Sequence, residues 1–315
     1  MRIASLVASA TEIVAYLGLE QQLVGVSADS DWPPRVVKDL PVLNTIAFNP
    51  DTMSSAEIDA AANAGHTGAS LYHVDGELLR SLHPDLVLTQ EVCEVCSVSR
   101  HDVDQATEML GYTPRMLSLN AVNLEEVFAD IQSVATEVGV AEEGQAQVAS
   151  LRERLERVRQ RHNSRVQSRR PRVLCLEWLD PLYSAGHWIP QMVALAGGRE
   201  ELGNDGGPSR EISFEDVLEY APDVIVLMPC SLPLERVAAE FPQLRKRAGW
   251  DELPAVRNRR VFAGHTDLYA RAGPRLVDGV ETLARMLDSD CFPEPLPDNQ
   301  ALKISADGQR LNPFR

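Results

Sequence analysis

The chain has 315 residues, 44% of them apolar and 24% charged, with 46 acidic against 30 basic side chains and a formal charge of −16. That length supports two domains with separate cores, and the composition excludes a disordered, collagen-like or small disulfide-stapled chain. A field of that sign repels phosphate backbones, which excludes nucleic acid as a partner across a broad surface.

In chain order, residues 2–7 read as a buried strand, 9–17 as a helix closed by Gly18, and 23–27 as a second short strand. Residues 30–75, rich in Pro, Asn, Gly and Asp, read as irregular. A helix follows at 77–82, stopped by the His83-Pro84 step, then a strand at 85–90, a helix at 101–110 and a strand at 115–119. Strands alternating with helices predict a parallel sheet covered on both faces. Residues 123–138 and 141–163 read as helices. In the second, Val148, Leu151, Leu155 and Val158 recur at spacings of 3 and 4, a one-sided apolar stripe. At 1.5 Å per residue this helix spans about 35 Å, which suits a strut between two lobes.

The pattern then repeats. A strand at 172–177, a helix at 190–196 ended by Gly197-Gly198, a helix at 215–220, strands at 223–228 and 260–263, and a helix at 274–287 are predicted. The segment from Glu77 to the strand after Pro84-Asp85 matches that from Glu215 to the strand after Pro222-Asp223. In each the Glu lies seven residues before the Pro. The predicted fold is α/β, two Rossmann-like lobes with mainly parallel sheets bridged by one long α-helix. Its parts are an N-terminal lobe at 1–122, a helical segment at 123–168, a C-terminal lobe at 169–288 and a tail at 289–315.

No run approaches the ~18 consecutive apolar residues of a membrane helix, so the chain reads as not membrane-spanning. Residues 1–18 carry one basic residue, and Glu12 interrupts their apolar stretch. That is not a secretory pattern, so the chain as written reads as cytoplasmic. An extracytoplasmic place requires a gene start further upstream or unconventional export. The chain has five cysteines, and only Cys93 and Cys96 are close in sequence. This fits a reducing compartment rather than a disulfide framework.

In open parallel sheets ligands bind beyond the carboxyl ends of the strands. Those ends lead to Ser9, to residues 29–32 including Trp32, to Gln90 and Cys96, to Glu177 and Tyr183, to residues 229–231, and to His265, Asp267 and Arg271. The chain has no dinucleotide fingerprint, P-loop, nucleophile elbow or H-E-x-x-H, so no nucleotide cofactor is expected. Cys93 and Cys96 follow a strand directly. They read as reduced loop thiols, as a ligand- or metal-contacting pair, or as a redox pair, although the neighbouring Glu91 and Glu94 oppose a lowered thiol pKa. His187 and Trp188 lie in a turn between strand and helix, and His265 follows a strand. Both histidines are candidates for ligand or metal contact.

Residues 5–13 (SLVASATEI), 24–27 (VGVS) and 30–34 (SDWPP) resemble the opening of the vitamin B12-binding proteins of ABC importers. Residues 266–275 (TDLYARAGPR) resemble that family's ligand loop. The resemblance covers about residues 2–287 and implies the two-lobed, helical-backbone binding fold shared with siderophore, haem and metal receptors. It implies that Trp32 packs on a corrin and that Asp267 and Arg271 hold its amide side chains. It further implies that Glu77 and Glu215, one per lobe, pair with arginines of a membrane permease. Two further tryptophans of the family's site fall at Gln90 and Ser209, which cannot stack. Trp178, Tyr183 and Trp188 are the available substitutes.

Two readings follow. The first is non-catalytic binding of a corrinoid such as cobalamin, or of a related metal tetrapyrrole or chelate, by a monomer. Its contacts are Ser9, Trp32, Gln90, Glu177, Tyr183, His187, Trp188, Asp267 and Arg271, and His187 or His265 can supply an axial imidazole to cobalt. The second is a metal- or thiol-dependent enzyme using Cys93, Cys96, Glu177, His187 and His265.

Overall fold

The computed structural model describes residues 1–65, 71–90, 110–163, 170–297, 299–305 and 308–314. Over these, strand β1 (Ile3–Ser5) is followed by α1 (Ala8–Tyr16), β2 (Leu23–Gly25), α2 (Pro34–Val37), β3 (Asn44–Ile46), α3 (Ser55–Gly65) and β4 (Tyr72–Val74). Next come α4 (Gly76–Leu82), β5 (Leu86–Thr89), β6 (Arg115–Ser118), α5 (Leu124–Glu137) and α6 (Ala141–Asn163). The chain divides into two compact units, Met1–Ala149 with Ala272–Pro274, and Ser150–Arg271 with Arg275–Arg315. The long α6 runs unbroken through the Ala149–Ser150 boundary, and its predicted stripe of Val148, Leu151, Leu155 and Val158 is buried.

The first unit is built on a parallel sheet in the order β2-β1-β5-β6, with Ile3 opposite Leu23 and Leu86, and Leu86 opposite Arg115. β1 and β5 are buried along their whole length, as inner strands of a covered sheet must be. Helix α1 is buried from Ala8 to Val14, including Thr11 and Glu12, and Gly18 at φ +74° closes the turn after it.

The stretch 30–75 departs from the irregular reading. It holds α2, α3 and the antiparallel pair β3–β4, whose side chains Leu43, Ala62, Leu71, Tyr72 and Val74 join Ala4, Leu6, Leu79 and Val87 in one core. Strands of three residues are too short for period-2 alternation to register, and α3 is alanine-rich, so neither left a clear apolar pattern. The helix predicted at 101–110 falls outside the described residues except for Leu110, which lies in a turn.

The second unit contains β7 (Val173–Leu179), β8 (Leu182–Ser184), β9 (Gly186–His187), α7 (Ile189–Leu195), β10 (Asn204–Asp205), β11 (Arg210–Glu211), α8 (Phe214–Tyr220) and β12 (Val224–Leu227). It continues with α9 (Leu234–Leu244), α10 (Pro254–Arg257), β13 (Val261–Gly264), α11 (Leu276–Leu287), β14 (Ala301–Ile304) and β15 (Leu311–Pro313). Its seven-stranded sheet runs β11-β8-β7-β12-β13-β14-β15. Only β7, β12 and β13 are mutually parallel; β8 and β11 on one side and β14 and β15 on the other are antiparallel. A short turn at Asp180-Pro181 joins β7 to β8, and so tight a link permits only an antiparallel pair. The residues read as a tail supply β14 and β15, where Phe314 packs edge-on against Phe262.

Arg154 of α6 donates to Glu281 at 2.6 and 3.0 Å and to Asp278 at 2.5 Å, both on α11. These contacts fix the Ser150–Asn163 part of α6 to the second unit, and the paired carboxylates hold the guanidinium pKa above its usual value.

Candidate functional site

In the first unit, a chain of hydroxyls ties the carboxyl end of β1 to the loop after β2. The Ser5 hydroxyl donates to the Val7 carbonyl at 2.9 Å and accepts from Thr11 at 2.9 Å. Thr11 shares a hydrogen bond of 2.9 Å with Ser30, and Ser30 one of 3.0 Å with Ser27. Asn44 bridges the same strand ends, donating to the Leu6 carbonyl at 3.2 Å and accepting from the Ala28 amide at 2.8 Å. Tyr72 donates to Asp29 at 3.2 Å. These bonds frame the loop that ends at Trp32, which is half-buried, as is Gln90 at the end of β5. Ser9 is 3% exposed, and its hydroxyl has no hydrogen-bond partner among the described residues. It stands in the first turn of α1, just beyond the carboxyl end of β1. Cys93 and Cys96 lie outside the described residues.

In the second unit, backbone bonds tie the ends of the three parallel strands. The Cys230 amide donates to the Glu177 carbonyl at 3.1 Å, and the Ser231 amide donates to the Thr266 hydroxyl at 3.0 Å. Beyond β13, Asp267 is 5% exposed and sits within 3.3 Å of both Arg271 and Arg275. The Asp267 amide donates to Nδ1 of His265 at 3.4 Å. Asp267 thus faces two guanidiniums at 3.3 Å and Nδ1 of His265 at 3.6 Å in a nearly buried cluster. Asp267 and Arg271 are the two expected contacts here, and Arg275, the second arginine of the same RAGPR run, joins them on this carboxylate.

Trp188 is buried and donates from its indole N–H to the Tyr269 carbonyl at 2.7 Å, so it braces the loop of residues 265–271. Gly264 makes room for that loop, because a Cβ there would lie 2.4 Å from the Tyr269 ring. Glu177 is half-buried and accepts from the Gly186 amide at 3.0 Å. Burial pushes its carboxyl pKa up, against the lowering effect of hydrogen bonds from Gly186 and Ser209. Tyr183 stands opposite Trp178 across the β7–β8 pair, and both are half-buried. The second unit thus gathers Asp267, Arg271 and His265 on one loop, with Trp188 bracing it. Glu177 is used to fasten the turn at Gly186.

Glu77 and Glu215 are exposed and lie in the first turns of α4 and α8. Asp75 caps α4, accepting from the Leu78 amide at 2.9 Å, and Ser213 with Asp216 forms a reciprocal capping box on α8. Each helix ends on a left-handed residue, His83 at φ 45° and Ala221 at φ 46°.

A protein-family model described as periplasmic binding protein matches residues 3–268. The chain belongs to this family. It is a substrate-binding protein of ABC importers and not an enzyme. A substrate-binding lipoprotein of an ABC transporter from Bacillus subtilis is 27% identical over 297 residues, covering 93% of this chain and 82% of that protein. A vitamin B12-binding protein of Vibrio cholerae is 26% identical over 294 residues, with 91% and 88% covered. Among solved structures, a periplasmic heme-binding protein from Pseudomonas aeruginosa superposes with a TM-score of 0.73 at 23% identity, covering 97% of this chain and 98% of that one. The periplasmic vitamin B12-binding protein of Vibrio cholerae gives a TM-score of 0.65 at 24% identity, with 93% and 98% covered.

These relatives share the predicted fold class and place the family outside the cytoplasm, which leaves the cytoplasmic expectation without support. No helix among the described residues is long and apolar enough to cross a membrane. Nor, among those residues, is any group of three His, Cys, Asp or Glu side chains placed to hold a metal ion. The enzyme reading gains no support.

Proposed function

We propose that the chain captures a corrinoid, or a related metal tetrapyrrole, and delivers it to an ABC permease outside the cytoplasm. The observation that carries this is the Asp267–Arg271–Arg275 cluster on the loop that follows β13. Guanidinium donors suit the amide carbonyls or carboxylates that fringe such rings. The half-buried Trp32 on its braced loop supplies the apolar face a flat ring needs. Gln90, Tyr183 and Trp178 complete the reading as half-buried groups beside strands β5, β7 and β8. Similarity to vitamin B12-binding proteins over nine-tenths of the chain supports the corrinoid. Glu77 and Glu215 are the proposed permease contacts, each held at a capped helix start.

Titration with cobalamin, cobinamide, hemin and a ferric siderophore tests the ligand class, with saturable binding expected for a tetrapyrrole-type ring. Trp32→Ala and Arg271→Ala should each weaken that binding by about 1–3 kcal/mol through lost stacking and charge-assisted hydrogen bonds. Wild-type affinity in both variants removes the site from these residues.

A further inference from the structure

Trp188 stands at the start of α7, is 7% exposed, and meets the His187 ring on one side, with centroids 5.5 Å apart. Its indole N–H is spent inside the protein, on the Tyr269 carbonyl at 2.7 Å. A ring so covered offers no open face on which a flat ligand could stack.

The place where that hydrogen bond lands is informative. Tyr269 lies two residues from Asp267 and two from Arg271. Its side chain is 2% exposed and lodged against Gly264, and its φ of −134° takes the backbone out of the single 3-10 turn at Thr266–Leu268. Fixing the Tyr269 ring and carbonyl together fixes the direction in which both charged side chains leave the backbone.

The rest of the loop is held as closely, by neighbours in the same unit. The His265 amide donates to the Gln300 carbonyl at 2.9 Å, and the Thr266 hydroxyl accepts from the Ser231 amide at 3.0 Å. A Cβ at Gly279 of α11 would lie 2.2 Å from the Leu268 carbonyl, so the loop lies directly on that helix. Within the loop, the Leu268 amide donates to the His265 carbonyl at 3.1 Å, and the Tyr269 and Ala270 amides donate to the Thr266 carbonyl at 2.9 and 2.8 Å.

We infer that Trp188 is a positioning residue, which sets the Asp267–Arg271 loop in its ligand-ready form before the ligand arrives and does not itself touch the ligand. The inference rests on the reading of Asp267 and Arg271 as ligand contacts. A loop ordered in advance spares binding the entropy of ordering it. Without the indole N–H, the Tyr269 carbonyl is a buried acceptor that has lost its donor, and the loop loosens.

Trp250 supplies the matched comparison. It is 2% exposed in the same unit, packs edge-on against Phe241, and its indole N–H has no hydrogen-bond partner among the described residues. Trp188→Phe and Trp250→Phe therefore make the same change in a buried aromatic, and Trp188→Phe also removes a hydrogen bond to the loop. In the ligand-free protein, hydrogen exchange at the amides of residues 267–270 should quicken about tenfold or more in Trp188→Phe and keep its wild-type rate in Trp250→Phe. Cyanocobalamin, cobinamide and hemin are the probes for binding. For whichever of these the wild-type protein binds, Trp188→Phe should weaken affinity by about three- to tenfold, and Trp250→Phe should leave it unchanged. The loss caused by Arg271→Ala should be smaller in the Trp188→Phe background than in the wild type, because an arginine on a loosened loop contributes less. If Trp188→Phe does not fold, site-specific replacement of Trp188 by benzothienylalanine, which keeps the bicyclic shape and lacks the N–H, takes its place. Unchanged exchange at the loop overturns the inference and leaves the ligand reading standing. So do losses from Trp188→Phe and Arg271→Ala that simply multiply, the mark of two independent ligand contacts. Equal affinity losses in the two tryptophan variants also overturn it, because they report a weakened core rather than a displaced loop. A wild-type protein that binds none of the probes overturns the ligand reading and this inference together.

Discussion

The two units share one device and differ in another. In the first, the Arg2 amide donates to Asp85 at 2.7 Å and its guanidinium to the Leu82 carbonyl at 2.8 Å. In the second, the Arg172 amide donates to Asp223 at 2.9 Å and its guanidinium to the Tyr220 carbonyl at 2.7 Å. Both clamps join the start of an inner strand to the left-handed helix end that precedes the next one. At the opposite, carboxyl ends of the strands the units part company. The first is framed mainly by neutral groups, the hydroxyl chain and the Asn44 amide, with Asp29 held by Tyr72, and the second by a nearly buried carboxylate between two guanidiniums. Repetition therefore marks what the sheet needs in order to form, and divergence marks what each rim is for.

Breaking the charged rim should have the largest effect. Asp267→Ala leaves two guanidiniums, each about 15% exposed, without their carboxylate. The expected loss is about 2–4 kcal/mol, read by chemical denaturation, because removing one partner of a buried ion-pair cluster is costly. The neutral rim should be less sensitive. Asn44→Ala strands the Leu6 carbonyl and the Ala28 amide, for about 1–3 kcal/mol. A larger loss at Asn44 than at Asp267 would reverse the contrast drawn between the two rims.

The units should also separate by pH. Burial raises the Asp130 carboxyl in the first unit to about 6 and the Glu200 carboxyl in the second to about 8. Both are acids whose folded pKa lies above the unfolded value. Each therefore contributes stability that is full below the unfolded pKa and lost as pH rises through the folded one. The loss due to Asp130 should be complete by a little above pH 6 and that due to Glu200 only above pH 8. Asp130→Asn should flatten the acidic part of the stability curve and Glu200→Gln the part extending past neutrality. His162 in the second unit has the opposite sign. Burial lowers its pKa, so its contribution is full above about 6.5 and falls away on acidification. A curve unchanged by Glu200→Gln between pH 6 and 9 would show that this carboxyl is not held neutral.

What was legible in the sequence follows from the same physics. Inner strands and long amphipathic helices left strong periodic signals, and α6 was placed at 141–163 without error. The β3–α3–β4 stretch was missed although one signal was present. Ser54 and Glu57 have the spacing of a capping box, and the Glu57 carboxylate accepts from the Ser54 amide and hydroxyl at 2.8 Å. On the neutral rim, Ser5, Thr11 and Ser30 lie inside the motifs that carry the family resemblance, but the hydroxyl chain joining them, and Asn44 beside it, left no signal because small polar residues far apart in sequence carry no period. The charged rim was half visible: Asp267 and Arg271 lie four apart on one loop, whereas Arg275 needed the turn after Gly273 to bring it back to the same carboxylate.

The smallest effect is expected where the two units are most alike. Glu77 and Glu215 stand exposed in first helical turns, and a carboxylate there gains about 0.3–1 kcal/mol from the helix dipole. Their surroundings differ. Near Glu215, α8 also carries Asp216, whose pKa is lowered by its bonds to Ser213, and Glu219, whereas α4 balances Glu77 with Arg80. Because neither glutamate touches a strand's carboxyl end, changing both to Gln should leave ligand affinity unaltered and lower stability by no more than about 1 kcal/mol per site. Transport by cells carrying the permease is the measurement these changes should depress, with the greater salt sensitivity on the more acidic α8 side. A tenfold fall in affinity, about 1.4 kcal/mol, with the fold intact would place these carboxylates in the ligand site and remove the distinction between docking helices and binding rims.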